Sequence, residues 1–205
     1  LGLSHNIEAE CEYNLESCNK NDAVYRGEVN TNVMTATIMS YDKTCIGMGF
    51  SDEKCEWLTK DLGFDIAINY KTENLDEALK KHCPDGVDIY FDNVAGDILD
   101  IVMQNLALNA RIPLCGLLAQ YNKEGARLPG PDNFDQLLMK RATITGFFCP
   151  DFLEDGPRIE SMLSEWYKEG SLKFKADITE GLENILISYK KIFTGENIGK
   201  TLVKL

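Results

Sequence analysis

The stretch TCIGMGFSDEKCEWLTKDLGFDIAINY, residues 44–70, decides the fold. Thr44–Phe50 is a short apolar run with strand character. Ser51 is a good helix N-cap, and Asp52 and Glu53 follow in the first turn, where carboxylates favour a helix N-terminus. Cys55, Leu58 and Leu62 then form an apolar face at helical spacing, and Gly63 stops the helix. Ile66–Asn69 is the next strand.

The same alternation continues downstream. Leu75–His82 reads as a helix, Val87–Asp92 as a strand, Asp97–Leu106 as a helix and Ala110–Cys115 as a strand. Pro113 is unusual for a central strand. A Gly- and Pro-bearing loop spans 116–131, followed by a helix over Phe134–Lys140 and a strand over Ala142–Phe148. The tail predicts a helix over Arg158–Glu169, a strand near Leu172–Lys175, a helix near Ile185–Phe193 and a strand near Lys200–Lys204. Upstream, residues 1–43 are atypical, with a strand expected near Asp22–Arg26 and a helix near Val33–Tyr41. Strands and helices in alternation argue an α/β fold: a doubly wound parallel sheet of Rossmann type, with a small C-terminal lobe. The expected division is 1–43 as an altered first strand and helix, 44–171 as the dinucleotide-binding domain and 172–205 as the lobe.

Composition bounds the chemistry. The 205 residues are 44% hydrophobic and 26% charged, with a net charge of −12. Such a surface repels nucleic acid and anionic membrane at long range. No apolar run approaches the ~18 residues of a membrane helix, and the first ten residues lack the basic start of a secretory signal. The seven cysteines form no C-x-x-C pair, so no metal site of the usual zinc spacing is expected. Reduced cysteines in a cytoplasmic protein are the expected state. The two histidines, His5 and His82, lie beside no nucleophile turn, which argues against hydrolase chemistry.

Ligands of doubly wound folds sit at the carboxyl ends of the strands. Lys54 lies one turn into the helix after residues 44–50, where a dinucleotide fold faces the adenosine ribose. A cation there suits a 2′-phosphate and an acid suits the free hydroxyl, so S-D-E-K leaves the choice open, as does a purely solvated helix start. Tyr70 ends the next strand, where a turn tyrosine is more often packing than function, and Asn93 ends the one after within D-N-V-A-G, whose small residues either let a ligand approach the backbone or make a tight strand-to-helix turn. Cys115, Gly116, Leu117, Leu118, Ala119, Gln120 and Tyr121 carry a strand end into a tyrosine, which is either a hydrogen-bond donor to a developing oxyanion or a buried, satisfied hydroxyl.

Eight blocks stand in order: S-D-E-K-C (51–55), L-G-F-D-I-A-I-N-Y-K-T (62–72), P-D-G-V-D-I-Y-F-D-N-V-A-G (84–96), A-R-I-P-L-C-G-L-L-A-Q-Y-N (110–122), L-P-G-P (128–131), G-F-F (146–148), E-G-L-E-N (180–184) and G-E-N-I-G-K (195–200). Together they resemble the zinc-free medium-chain dehydrogenase/reductases. The nearest group is the prostaglandin reductase, or leukotriene hydroxydehydrogenase, group of NADPH-dependent alkenal/enone reductases. The resemblance implies that Lys54 meets the 2′-phosphate of NADPH and that Tyr70 lies at the same end. It implies that Asn93 lies near the cofactor, and that residues 115–121 line the nicotinamide and its ribose. Phe147, Phe148 and Cys149 correspond to carboxamide contacts, and Asn197 reaches the cofactor from the tail. Tyr121 matches a catalytic proton donor or enolate stabiliser. The implied reaction is hydride transfer from NADPH to the β-carbon of a small-molecule enal or enone, in a cytoplasmic homodimer paired through the edge strand Ala142–Phe148.

Three departures accompany the resemblance. The catalytic domain that precedes the nucleotide domain in the family is not expected in this chain. The glycine-rich phosphate loop corresponds to Val24–Asn32, which holds one glycine, Gly27, beside Glu28. Ala95 replaces a glycine of V-G-G. The chain therefore reads as the cofactor-binding lobe of a reductase. The alternative is a non-catalytic binding or assembly module that has lost its cofactor.

Overall fold

The computed structural model describes residues 37–39, 44–120, 130–146 and 148–205. Six strands form the main sheet: β1 (Thr37–Met39), β2 (Cys45–Gly49), β3 (Ile66–Asn69), β4 (Val87–Phe91), β5 (Leu106–Leu114) and β6 (Thr143–Gly146). Their spatial order is β3-β2-β1-β4-β5-β6, the strand order of dinucleotide-binding sheets. Helices α1 (Asp52–Lys60), α2 (Leu75–His82), α3 (Gly96–Gln104), α4 (Asp135–Lys140) and α5 (Gly156–Lys168) connect and follow them. No helix among the described residues is long and apolar enough to cross a membrane.

The alternating side chains of a strand explain why both faces are covered. In β2, Ile46 and Met48 face one core with Ile68 of β3, Leu79 of α2 and Val102 and Met103 of α3. Cys45 faces the opposite core with Trp57 and Leu58 of α1, Leu62 and Phe64. Local signals set the helix ends. Ser51 Oγ accepts from the Lys54 N–H at 3.3 Å and caps α1. Asn74 Oδ1 caps α2 through the Glu77 N–H, and Lys80, Lys81 and His82 occupy its last turn.

β2 and β3 pair in parallel, as do β4 with β5 and β5 with β6. β1 departs from the expected all-parallel sheet, pairing antiparallel with both β2 and β4. Chain length explains the reversal. Residues 40–44 are all that join β1 to β2, whereas a parallel crossover needs about a dozen residues. Thr37–Met39 is also strand where a helix was expected over Val33–Tyr41; the β-branched Thr37 and Ile38 lie between two strands, paired on both sides. The strand expected near Asp22–Arg26 lies outside the described residues.

Two further boundaries move. The α3 helix ends at Gln104 rather than Leu106, because Asn105 turns the chain: its Nδ2 donates to Ile101 O and its carbonyl accepts from the Val87 N–H. Leu106 then opens β5 opposite Val87, and β5 absorbs extra residues at Asn109, whose φ is +63°. Pro113 does sit within β5, and its carbonyl accepts from the Asp92 N–H at 2.9 Å.

The C-terminal lobe is a two-stranded parallel sheet, β7 (Ala176–Glu180) with β8 (Lys200–Lys204), joined through α6 (Ile185–Thr194). The strand expected at Leu172–Lys175 begins later, because Leu172 packs against Trp166 and under α1 instead of pairing. Asp177 and Thr201 pair on one face, which turns toward α6 through Lys191 Nζ, 2.8 Å from Asp177 Oδ1. Ile178 and Leu202 pair on the outer face and stay exposed, as do Ile185, Leu186, Ile187 and Tyr189 of α6.

Candidate functional site

β2 and β4 are both antiparallel to β1 and so run parallel to each other. The carboxyl ends of β2, β3, β4, β5 and β6 therefore share one edge of the sheet, the edge where α/β folds hold ligands. Two groups of side chains stand there.

The first group surrounds Phe50, at the end of β2. Lys54 is only 1% exposed, yet its Nζ has no hydrogen-bond partner among the described residues. Burial lowers its pKa from the usual lysine value. The ammonium lies 5.9 Å from the centre of the Phe50 ring. Tyr70 meets that ring edge-on at 6.2 Å, and burial pushes its phenol up to about 12. Lys71 Nζ lies 4.7 Å from the Phe50 ring centre. The tail lobe closes onto the same ring. Gly195 has φ +73°, and a Cβ there would fall 2.5 Å from Phe50. This approach brings Asn197 to the first group's side of the molecule, 1% exposed, with its Nδ2 donating to Gly199 O.

The second group joins the ends of β4 and β5. Asp92 is fully buried, and its Oδ1 accepts from Tyr90 Oη at 3.0 Å and from the Val94 and Ala95 N–H groups at 2.8 Å. Its Oδ2 has no partner among the described residues, and burial raises the carboxyl pKa despite the three donors. Two of those bonds hold the turn that carries Ala95 at φ +61°, ψ −158°, a conformation nearly reserved for glycine. The Cys115 and Gly116 N–H groups donate to Asp92 O, Leu118 N–H to Asn93 O and Ala119 N–H to Val94 O. A Cβ at Gly116 would fall 2.9 Å from Asn93 O, so only glycine permits this lacing. The thiol of Cys115 is raised by burial.

The sequence-predicted residues are thus brought to one edge in two clusters. Lys54 and Tyr70 stand at Phe50, Asn93 and Cys115–Ala119 around the Asp92 turn, and Asn197 lies two residues beyond Gly195, which approaches Phe50. Phe148 follows β6 and is 66% exposed, in contact with neither cluster's hydrogen bonds. Gln120 ends a short 3-10 turn and Cys149 begins another. Tyr121 and Phe147 lie outside the described residues. Sequence reasoning missed Phe50, Lys71 and Asp92. The period-2 pairing of Tyr90 with Asp92 was the available signal for the last, since it puts both on one face of β4.

The phosphate-loop expectation changes. A dinucleotide fold places that loop directly after its central first strand, at the carboxyl edge. Here β1 is reversed: Thr37 stands at that edge and Met39 beside Cys45 and Ile89 at the other. The link that follows β1, Ser40–Thr44, contains no glycine and leaves from the amino edge. Val24–Asn32 precedes β1 in the chain and lies outside the described residues.

A cleft of about 420 Å³ lies on the sheet beside the second cluster, lined by Ala95, Leu99, Leu117, Pro131, Phe134 and Ile144 among others.

The family described as zinc-binding dehydrogenase matches residues 31–165. No group of three or more His, Cys, Asp or Glu side chains converges among the described residues, so none of them fits a zinc ion. The 2-alkenal reductase (NADP(+)-dependent) of Nicotiana tabacum is 40% identical over 159 residues, covering 77% of this chain and 46% of the relative. The NADPH-dependent curcumin reductase of Escherichia coli is 35% identical over 167 residues, covering 78% of this chain and 48% of the relative. The solved structure of CurA from Vibrio vulnificus in complex with NADPH superposes with a TM-score of 0.69 at 35% identity, covering 78% of this chain and 48% of that one. The chain spans about half the length of the curated relatives it matches. A match over residues 31–165, together with the sheet order and these relatives, means that the chain belongs to the zinc-binding dehydrogenase family.

Proposed function

We propose that the chain is the cofactor-binding part of an NADPH-dependent reductase of the carbon–carbon double bond of α,β-unsaturated aldehydes and ketones. The observation that carries this reading is Lys54: a buried ammonium without a hydrogen-bond partner among the described residues, against an aromatic ring, at the carboxyl edge of the sheet. A buried, unpaired cation is costly in the empty protein and is relieved by an anion. A 2′-phosphate is the anion that NADPH carries and NADH lacks. In this reading residues 44–171 form the dinucleotide-binding domain and 172–205 belong to the substrate domain.

Each side chain then has a task. Lys54 neutralises the 2′-phosphate, and Phe50 and Tyr70 wall off the adenosine end. The laced turn of Asn93 and Cys115–Gln120 presents backbone to the nicotinamide ribose, where Gly116 keeps the approach open. Phe147, Phe148 and Cys149 flank the carboxamide, and Asn197 closes the site from the tail. Bound NADPH supplies the hydride that goes to the β-carbon of the enone. Tyr121 holds or donates the proton to the enolate that develops.

A homodimer through β6 goes with this reading. That strand is the open edge of the sheet, and Leu138, Met139 and Phe148 near it are 75%, 59% and 66% exposed. A doubled mass in light scattering at micromolar concentration is the expected result. A reducing, cytoplasmic location accords with the free thiols of Cys55 and Cys115.

Titration calorimetry with NADPH and NADH tests the cofactor half of the reading, and equal, weak binding of both refutes it. NADPH consumption with a panel of enals and enones, repeated on Tyr121→Phe, tests the chemistry. The second reading, a binding or assembly module without catalysis, is favoured by the reversed β1, whose following link has neither the glycines nor the edge that a pyrophosphate needs. Tight NADPH binding without turnover of any enone selects it.

A further inference from the structure

We propose that Lys71 is a second phosphate-binding cation, which with Lys54 and the Phe50 ring forms a two-lysine site selective for adenosine whose ribose carries a 2′-phosphate. The proposal rests on the nucleotide reading above and goes beyond it by adding a specificity-determining residue.

The two ammoniums come from different elements and converge on one ring. Lys54 Nζ lies 5.9 Å from the Phe50 centroid and Lys71 Nζ 4.7 Å. Lys71 also stands 5.6 Å from the Tyr70 ring, so its stem lies over both aromatics. Neither ammonium has a carboxylate within ion-pair distance among the described residues, in a chain whose net charge is −12. The Asn69 side chain ties together the two elements that carry the lysines. The Lys71 N–H donates to Asn69 Oδ1 at 3.1 Å, and Asn69 Nδ2 donates to Asp52 Oδ1 at 2.6 Å in the first turn of α1. Asn69 is itself only 5% exposed, so the turn that carries Lys71 is clasped to the helix that carries Lys54. The division of labour follows from exposure. Lys54 is dry and meets the phosphate from below, whereas Lys71 is exposed and closes over it from the solvent side. A phosphate monoester bears close to two negative charges at neutral pH, and two cations match it where one does not.

The test is equilibrium titration of the full chain with adenosine 2′,5′-bisphosphate and with AMP, at low and high salt. Lys71→Ala is expected to weaken bisphosphate binding about 5-fold at low salt and to leave AMP binding unchanged. Lys71→Arg is expected to restore most of the loss, and high salt to shrink the difference, because an exposed cation is screened. Equal bisphosphate binding by Lys71→Ala and the unaltered chain overturns the proposal, as does an equal loss for bisphosphate and AMP, which a structural role would give. If the unaltered chain binds the bisphosphate no better than AMP, the nucleotide reading itself falls and takes this inference with it.

Discussion

At the carboxyl edge of the main sheet one buried oxygen, Asp92 Oδ1, accepts three hydrogen bonds, whereas in the C-terminal lobe three buried hydroxyls find no partner among the described residues. Those hydroxyls belong to Thr179, Ser188 and Thr201, between the two strands and α6. The apolar side chains divide the same way. The main sheet buries Ile46, Met48, Ile68 and Ile112 almost completely, while the lobe turns Ile178, Leu186 and Leu202 outward. A layer that faces its own core buries its apolar side, so the main sheet buries its apolar residues against its own helices while the lobe leaves part of its apolar side exposed. The contrast explains why the sheet edge, not the lobe, carries the precise geometry on which a ligand depends.

Breaking the precise side of the contrast should have the largest effect. Asp92→Ala strands the Val94 and Ala95 N–H groups and the Tyr90 hydroxyl, and is expected to cost about 3 kcal/mol or more in urea unfolding. Asp92→Asn sharpens the point through pH. The Asp92 carboxyl titrates above its usual 3.8, so between 3.8 and the raised value the native protein holds a proton that the unfolded chain has lost. Stability therefore falls as pH rises through that window. The asparagine variant should lose that part of the slope, as read from urea midpoints at several pH values from about 4 upward.

Lys54→Met comes next. Removing a buried cation that has no partner among the described residues should raise stability by about 1–2 kcal/mol. The same change should bring the NADPH and NADH dissociation constants together, so that stability and selectivity move in opposite directions. Ala95→Gly should stabilise by about 1 kcal/mol, since glycine adopts φ +61° without the strain of a Cβ. The smallest effect belongs to the lobe. Thr201→Val deletes a hydroxyl without a partner and should leave stability unchanged or raise it by about 0.5 kcal/mol, the reverse of the Asp92 result.

Most of the main sheet was legible in the sequence because its elements carry their own signals. Leu75–His82, with its cationic last turn, appears with those limits, as does Lys200–Lys204 in the lobe. Where a boundary depended on a distant partner it was not legible. The early start of β5 depends on Asn105 meeting Val87, and the late start of β7 on Leu172 packing beneath α1. β1 was the largest omission: Val33–Tyr41 reads as a helix, yet Thr37–Met39 is a strand, and its direction is set by the short link to β2 rather than by propensity. In the candidate site the polar residues at strand ends were legible by position. The ring that organises them was not, because Phe50 reads as the last apolar residue of a strand until Lys54, Tyr70, Lys71 and Gly195 are seen around it.

The reversed strand has a mechanical consequence. Among the described residues, β3-β2 on one side and β4-β5-β6 on the other are joined in the sheet through the three residues Thr37–Met39. The sheet is two plates and a splint. Amide exchange at Ile38 should then report how often the plates part, and any tightening of the splint would be felt at once on the two plates that bear Lys54 and Asp92.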